Sequence, residues 1–395
     1  MMTLFVKVSL KSLDIHMFRL NRDFIFATIA NCFFFINFSS FFLLPLFLDN
    51  LQYDKFQIGV LMGSFGISSI LLTPITSTLI DKYGKKLSGI VALVLMILSS
   101  SAYCITTNFY FIFILRIIQG ASFSVFFNST SALASDNLDK GNRKQGLSIY
   151  FASTIFPYFI GPFFGEIVII NYGFIYFFIF SSSFSVIALI IIFGVSNLQT
   201  SKINKDDINF SDFFKIISDE DSRKYLLTNF LSSSGFGIIM NFIAIFLKEK
   251  GLKSGLFFLV YSCTVTFFRL FLSSYISEKN LFSKVLIMLI AFSSLIFIFP
   301  MINSIEGIII FSFLFSSTYA LIYPFLSSLL IKEDSIENSG RLFGALNATF
   351  GLGVHMMTFL FGYLIHVFGF SVGFQACSLF ILIFAIYILS KEREG

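Results

Sequence analysis

The chain has 395 residues, of which 56% are apolar and 12% charged, and its mean hydropathy is +0.87. Soluble domains carry about 25% charged residues, so this composition excludes a water-soluble globular protein and makes the lipid bilayer the solvent. The net charge of +5 does not mark a nucleic-acid surface either, because the basic residues are distributed along one side of a membrane, as the order of the spans shows.

The first sixteen residues do not read as a signal peptide: Lys7 and Lys11 interrupt the apolar stretch, no small-residue cleavage site follows, and either Met1 or Met17 is the start. Beyond them, apolar runs long enough to cross about 30 Å of hydrocarbon recur along the chain. Twelve are expected, near residues 24–47, 57–80, 87–106, 109–131, 147–170, 173–195, 226–247, 255–276, 283–302, 306–331, 342–364 and 371–390. Links three to four and five to six are very short, so eleven is the competing count. All six prolines lie inside apolar runs, where neighbouring helices can satisfy the freed carbonyls. Cys32, Cys104, Cys263 and Cys377 read as small buried hydrophobes, with neither disulfide nor metal spacing. Tryptophan is absent, leaving tyrosines such as Tyr53, Tyr172 and Tyr225 for the interfacial belt.

Lysine and arginine give the orientation. With the N-terminus inside, 21 of the 27 basic residues fall on the inner side and 4 on the outer, so both termini are expected in the cytoplasm. The longest polar stretch, 196–225, divides the chain into a six-span half at 1–195 and another at 226–395. The halves echo each other. Phe47 to Gly59 and Phe246 to Gly255 occupy corresponding loops, and Asp81 after span two corresponds to Ser277, beside Glu278, after span eight. Two parallel six-helix repeats with a path between them are a transporter signature.

Three local patterns stand in these spans. After span two comes Ser77-Thr-Leu-Ile-Asp81-Lys82-Tyr-Gly84-Lys85-Lys86. Asp81 ends a helix whose dipole disfavours it, Gly84 allows a tight turn, and the three lysines suit anionic headgroups. Span four holds Arg116-Ile-Ile-Gln119-Gly120, and span five holds Gly161-Pro162-Phe-Phe-Gly165-Glu166. Together these resemble the major facilitator superfamily, most closely its proton-coupled drug and metabolite exporters. Ser77 replaces the leading glycine of the first pattern, and Glu166 stands where the third has a second glycine. The resemblance implies an all-α polytopic membrane protein of twelve helices in two pseudo-symmetric bundles, in a bacterial plasma membrane. It implies alternating access, with Asp81, Lys82, Gly84, Lys85 and Lys86 as a cytoplasmic latch. Gln119, Gly120, Gly161, Pro162 and Gly165 are then helix-packing positions.

Buried charge in a membrane marks function or a buried partner. Arg116 and Glu166 lie at similar depth on neighbouring spans, and two readings stand: an ion pair between them set by protonation, or Glu166 meeting interfacial water while Arg116 bonds backbone carbonyls; with His355 they are the proton-coupling candidates. Asn37, Gln119, Asn128, Asn241, Arg269, Tyr323 and His355 are the substrate-cavity candidates, each with the plainer alternative of an interhelical hydrogen bond or a snorkelling cation. No phosphate-cradling glycine loop, metal-ligand cluster or nucleophile–base set is discernible, so no cofactor and no enzymatic activity are expected. The reading is a monomeric secondary transporter of a small molecule, exporting by proton antiport. A sugar, nutrient or organic-acid importer is the alternative within transport, and a non-transporting receptor or scaffold the alternative outside it.

Overall fold

A computed structural model describes residues 21–138, 143–196, 219–272, 276–277, 279–330 and 339–394; these residues are helices and short turns, with no strand among them. Ten helices run in order: α1 (Arg22–Asn50), α2 (Lys55–Tyr83), α3 (Lys85–Ala102), α4 (Phe109–Asp136), α5 (Arg143–Ile155 and then Pro157–Tyr172), α6 (Phe174–Phe193), α7 (Glu220–Glu249), α8 (Gly255–Leu272), α9 (Leu281–Met301) and α10 (Ile305–Leu330). The last helical run, Ser339–Glu394, is broken at Gly369 (φ 85°, ψ 168°). It is two antiparallel helices: α11 (339–368) and α12 (370–394). Phe361 and Phe380 face each other with ring centroids 6.5 Å apart. Lys224 near the start of α7 bonds Glu392, while Asn229 one turn on bonds Thr349. The twelve expected spans are therefore present, and the apparent eleventh is a hairpin turned on one glycine.

Local chemistry sets the helix ends. Asp54 and Gln57 form a reciprocal capping box at α2, and Asn108, Asp219 and Ser304 cap α4, α7 and α10. The cap at Asp219 starts α7 at Glu220, so the linker is shorter at its far end than 196–225. Among the described residues six have positive φ, and they pair across the halves: Gln52 with Gly251, Gly84 with Asn280, and Gly173 with Gly369. The last two pairs are each 196 residues apart, so the repeat that is faint in side chains is kept in the backbone of the turns.

Both halves begin and end at one end of the molecule, the linker end: Ser196 N donates to Asp23, and Lys85 bridges to Asp136. The other end is called distal. α1 and α7 are the most enclosed, with 83% and 94% of their apolar windows buried. Elsewhere large apolar side chains face outward, such as Leu98, Ile190 and Ile383. Apolar exposure of that kind is the surface a bilayer covers. It also corrects two expectations: Cys263 lies on an exposed face, and Tyr225 is buried against Phe282 rather than in an interfacial belt. Tyr172 is 68% exposed at the distal end of α5.

Candidate functional site

Inside the first half, a chain of buried polar groups joins four helices. Asn37 on α1 donates to Ser181 O on α6 (2.8 Å) and accepts from Ser100 on α3 (3.3 Å). Ser100 accepts from Gln119 on α4, whose Oε1 accepts from both Tyr103 and Arg116. Asn37 and Gln119 are thus wholly enclosed within one half. Gly120 next to them lets α4 press its backbone onto Phe65 O of α2, and Gly161 does the same for α5 against Ile36 O and Ser40 N of α1. No side chain fits either crossing, which explains why the motif positions are glycines.

Arg116 is 4% exposed. Its guanidinium donates to Leu61 O (3.2 Å), Met62 O (3.5 Å) and Gln119 Oε1 (3.1 Å), and it lies 4.7 Å from the centroid of Phe65. These partners are neutral. Glu166 is elsewhere, and the expected Arg116–Glu166 ion pair is not formed. Its carboxylate accepts from Ser254 N (2.9 Å), Ser254 Oγ (3.1 Å) and Gly255 N (2.6 Å). Depth along the sequence put the two on a common level, but the α5 face that carries Glu166 turns toward the other half.

That contact is a helix cap supplied in trans. Ser254 precedes α8 yet does not cap it with its own side chain. The first turn of a helix leaves N–H groups unpaired and carries partial positive charge, so a carboxylate there is favourable. The corresponding crossing in the repeat is α2 with α11. There Gly59 faces Gly362, with about van der Waals contact between backbones, whereas Gly255, 196 residues after Gly59, faces Glu166 and the Cα of Phe163. Glu166 replaces a close glycine contact with a polar one.

More charges join the halves nearby. Asp49 at the end of α1 accepts from Lys55 (2.7 Å) and, across the halves, from Lys248 of α7 (2.8 Å); Lys55 also reaches Glu249 (3.1 Å). Asp54 and His366 of α11 lie 3.7 Å apart. Lys250 donates to Pro300 O, Ile302 O and Asn303, and partial burial there pulls its ammonium below the usual lysine range. A depression of about 500 Å³ opens on this distal face beside Lys55, Glu249, Lys250 and His366. Opposite charges at equivalent loops of the two repeats were the sequence signal for this cluster. Counting only cations for orientation passed over it.

Beneath the clasp, aromatic rings from both halves meet. Tyr158 of α5 contacts Phe42 of α1 (centroids 5.2 Å) and stacks on Tyr261 of α8 (6.4 Å). Phe236 of α7 stacks on Tyr319 of α10 (4.9 Å) and approaches Tyr261 and Phe350 of α11. Tyr323 contacts Phe350 and donates to Asn347 (2.5 Å). Asn347 is exposed although it lies two turns inside α11. The helices are irregular here: α5 turns at Phe156, ahead of Pro157, and Ser262 of α8 donates to the Ile155 carbonyl. The described part of α8 includes a π turn over Phe268–Leu272 that carries Arg269, and α10 breaks between Tyr319 and Ile322. Arg269 Nε donates to Ala320 O at 2.9 Å. Pro324 has no N–H to return to that carbonyl four residues earlier, so the arginine satisfies an acceptor that the proline orphans. Of the sequence candidates, Tyr323 belongs to this aromatic cluster and Arg269 borders it through Ala320 O. Tyr158, Tyr261, Tyr319 and Phe236 were not foreseen, since isolated aromatics in apolar runs carry no signal by themselves.

The remaining candidates fall between these places. Asn241 joins α7 to α11 through Thr358 (3.0 Å) and is 4% exposed. Asn128 is half-buried on α4. His355 fills a notch left by Gly66 of α2, where any side chain would overlap its ring, and packs near Phe65 (5.8 Å). Its Nδ1 is buried without a hydrogen-bond partner among the described residues. At the linker end, Gly84 (φ 87°) turns the chain between α2 and α3. Lys82 lies over the Tyr83 ring, Lys85 pairs with Asp136, and Lys86 donates to Phe193 O (3.0 Å) and Val195 O (2.5 Å). The lysines therefore tie α3 to the ends of α4 and α6, within one half. The side chain of Asp81, and Glu278, lie outside the described residues.

A twelve-helix protein in two halves, with a polar clasp at one end and a layer of aromatic rings where the halves meet, has the architecture of a membrane carrier. The family model of the Major Facilitator Superfamily matches residues 24–353, and the chain belongs to that superfamily. It is a multi-pass membrane transporter and not an enzyme. The staphylopine export protein of Staphylococcus aureus is 24% identical over 383 residues, which is 88% of this chain and 90% of that protein. The quinolone resistance protein NorA of the same species is 26% identical over 119 residues, 30% of this chain and 31% of NorA. Among solved structures, the nucleoside transporter NupG superposes with a TM-score of 0.71 at 13% identity, covering 94% of this chain and 97% of that one. The human organic anion transporter MFSD10 does so with a TM-score of 0.67 at 16% identity, covering 94% and 99%. At these identities the structures speak for the fold alone.

Proposed function

We propose that the protein exports a small amphipathic molecule by alternating access, driven by proton antiport, with its linker end in the cytoplasm. The observation that carries the reading is the clasp of Glu166 on α8 above an aromatic layer to which both halves contribute. A carrier closed at the distal end must break this contact to open there, and the described inter-half ion pairs lie on the same side. The exposed Asn347 beside Tyr323 supports an opening between the halves toward the linker end. Export is supported by the relatives, whose names describe export and drug resistance. The positive-inside distribution of lysine and arginine supports the orientation.

Proton coupling rests on three ionisable groups. Glu166 holds the halves together as a carboxylate acceptor, and protonation removes both charge and an acceptor from the cap. His355 lies across Phe65 from Arg116, with one ring nitrogen unpaired among the described residues. Asp81 and its glycine–lysine turn act as the latch of the opposite, distal-open state. The test is flux in proteoliposomes under an imposed pH gradient. Substrate should accumulate on the acidic side at the expense of the gradient. Flux unaffected by collapse of the pH gradient would refute antiport, and accumulation on the alkaline side would make the protein a symporter.

A further inference from the structure

Two contacts that join the halves at the distal end answer protons in opposite ways. We propose that His366 of α11 and Asp54 ahead of α2 form a clasp that tightens in acid, holding the α2–α11 crossing shut while Glu166 lets go at the α5–α8 crossing. The proposal rests on the transporter reading and adds a regulatory site to it.

The pair is poised rather than made. His366 Nδ1 stands 3.7 Å from Asp54 Oδ1, too far for a hydrogen bond and within reach of an ion pair. The carboxylate is fixed in place. Its Oδ1 accepts from Gln57 N at 2.8 Å, and Gln57 Oε1 accepts in return from Asp54 N. A neutral imidazole gains little from this carboxylate, whereas a protonated one gains a charged partner on the opposite half. Histidine is the side chain whose charge change ordinarily falls between about pH 5 and 8. Protons reach the pair from the distal solution, because the two side chains are 44% and 41% exposed and His366 borders the depression of about 500 Å³.

The neighbouring charges are largely spoken for. Lys55 of α2, with Glu249 and Lys250 at the end of α7, borders the same depression. Lys55 is held by Asp49 and Glu249, and Lys250 by Pro300 O, Ile302 O and Asn303. The turn from α11 to α12 beside them carries no charge. Among the described residues, Asp54 is the carboxylate within ion-pair distance of the imidazole.

The repeat shows that the pair belongs to one crossing. The positions 196 residues away are Lys250 for Asp54 and Ile170 for His366, a cation and an apolar residue. Conversely, Glu166 corresponds to Gly362, one turn before His366 on α11. Each crossing thus carries a titratable clasp of its own kind. Glu166 holds as an anion and releases on gaining a proton; His366 holds as a cation and releases on losing one. Protons therefore bind the closed α2–α11 crossing more tightly than the parted one. Its closed share rises as pH falls through the histidine range and is lost above it. Acid on the distal side makes this crossing the pivot and the α5–α8 crossing the one that parts.

The test measures distances between spin labels at Asn50→Cys and Phe368→Cys, in nanodiscs, in otherwise cysteine-free protein. Both positions are exposed at the distal end, one on each half. The background carries Glu166→Gln, which silences the clasp that acid releases. From about pH 8 to about pH 5.5, the ratio of short to long distances should grow about 1.4- to 5-fold, the range of an exposed ion pair. His366→Gln should abolish the change, and so should Asp54→Asn, whose side chain still caps α2. His366→Lys should show the acid ratio at both pH values. A response that survives His366→Gln or Asp54→Asn, or long distances that grow in acid, would overturn the clasp and leave transport standing. A single distance that no pH or variant moves, here and between Tyr172→Cys and Lys253→Cys alike, would refute moving halves and take the transport reading with it.

Discussion

Glu166 offers the sharpest perturbation. Replacing it by alanine strips the caps from Ser254 N and Gly255 N and leaves the Ser254 hydroxyl without its acceptor, all in a place where Glu166 itself is 9% exposed. Loss of an N-terminal cap costs about 0.5–2 kcal/mol, and the carboxylate–dipole attraction adds up to about 2 kcal/mol in partly buried sites. Water can reach the freed N–H groups once the distal end opens, so the penalty applies to the closed state. Taking about 2 kcal/mol as the net effect, the closed-to-open ratio should fall about 30-fold. Glu166→Gln keeps one carbonyl acceptor and most of the shape, and about 1 kcal/mol, or fivefold, is expected. The measurement is a distance distribution between spin labels at Tyr172→Cys and Lys253→Cys, in nanodiscs, with the four native cysteines replaced. The label sites are exposed at the distal ends of α5 and α8. The longer-distance population should grow in the order wild type, Glu166→Gln, Glu166→Ala. Superimposable distributions in all three would sink the idea that the clasp holds the halves together.

Other outcomes follow from the same geometry. Gly66→Val drives a branched side chain into the His355 ring and should prop α2 from α11, exposing a single cysteine placed at Tyr261 in a cysteine-free background to distal alkylation; unchanged labelling would show that the crossing yields elsewhere. Gln119→Leu removes the hub shared by Arg116, Tyr103 and Ser100, and thermal unfolding should reveal a loss of about 1–3 kcal/mol. Pro324→Ala returns a helical donor to Ala320 O and so competes with Arg269; flux in proteoliposomes should slow a few-fold, with no change if the arginine does not depend on that carbonyl. Asp81→Asn should insert normally and transport poorly, and full turnover in proteoliposomes would remove the latch role.

Much was legible in the chain before any packing was known. Twelve apolar runs, a basic bias on one side and a 196-residue echo fix a two-half membrane fold, because lipid allows a spanning segment almost no other backbone than a helix. The motif glycines were singled out by the family resemblance, and the structure supplies the reason: Gly120 and Gly161 sit at crossings that no side chain fits. What the sequence left open was direction around each helix axis. Arg116 and Glu166 share a depth, yet one turns into its own half and the other out toward α8, and a periodic pattern is too weak to say so when every face is apolar. Asn37 and Gln119 looked like cavity residues for lack of that same information, and they close a network inside one half. The tertiary structure decided these faces, because packing fixes rotation about the axis and hydropathy does not. It also assembled the aromatic layer, where Tyr158 from one half stacks on Tyr261 from the other beside a helix break, partners far apart in sequence.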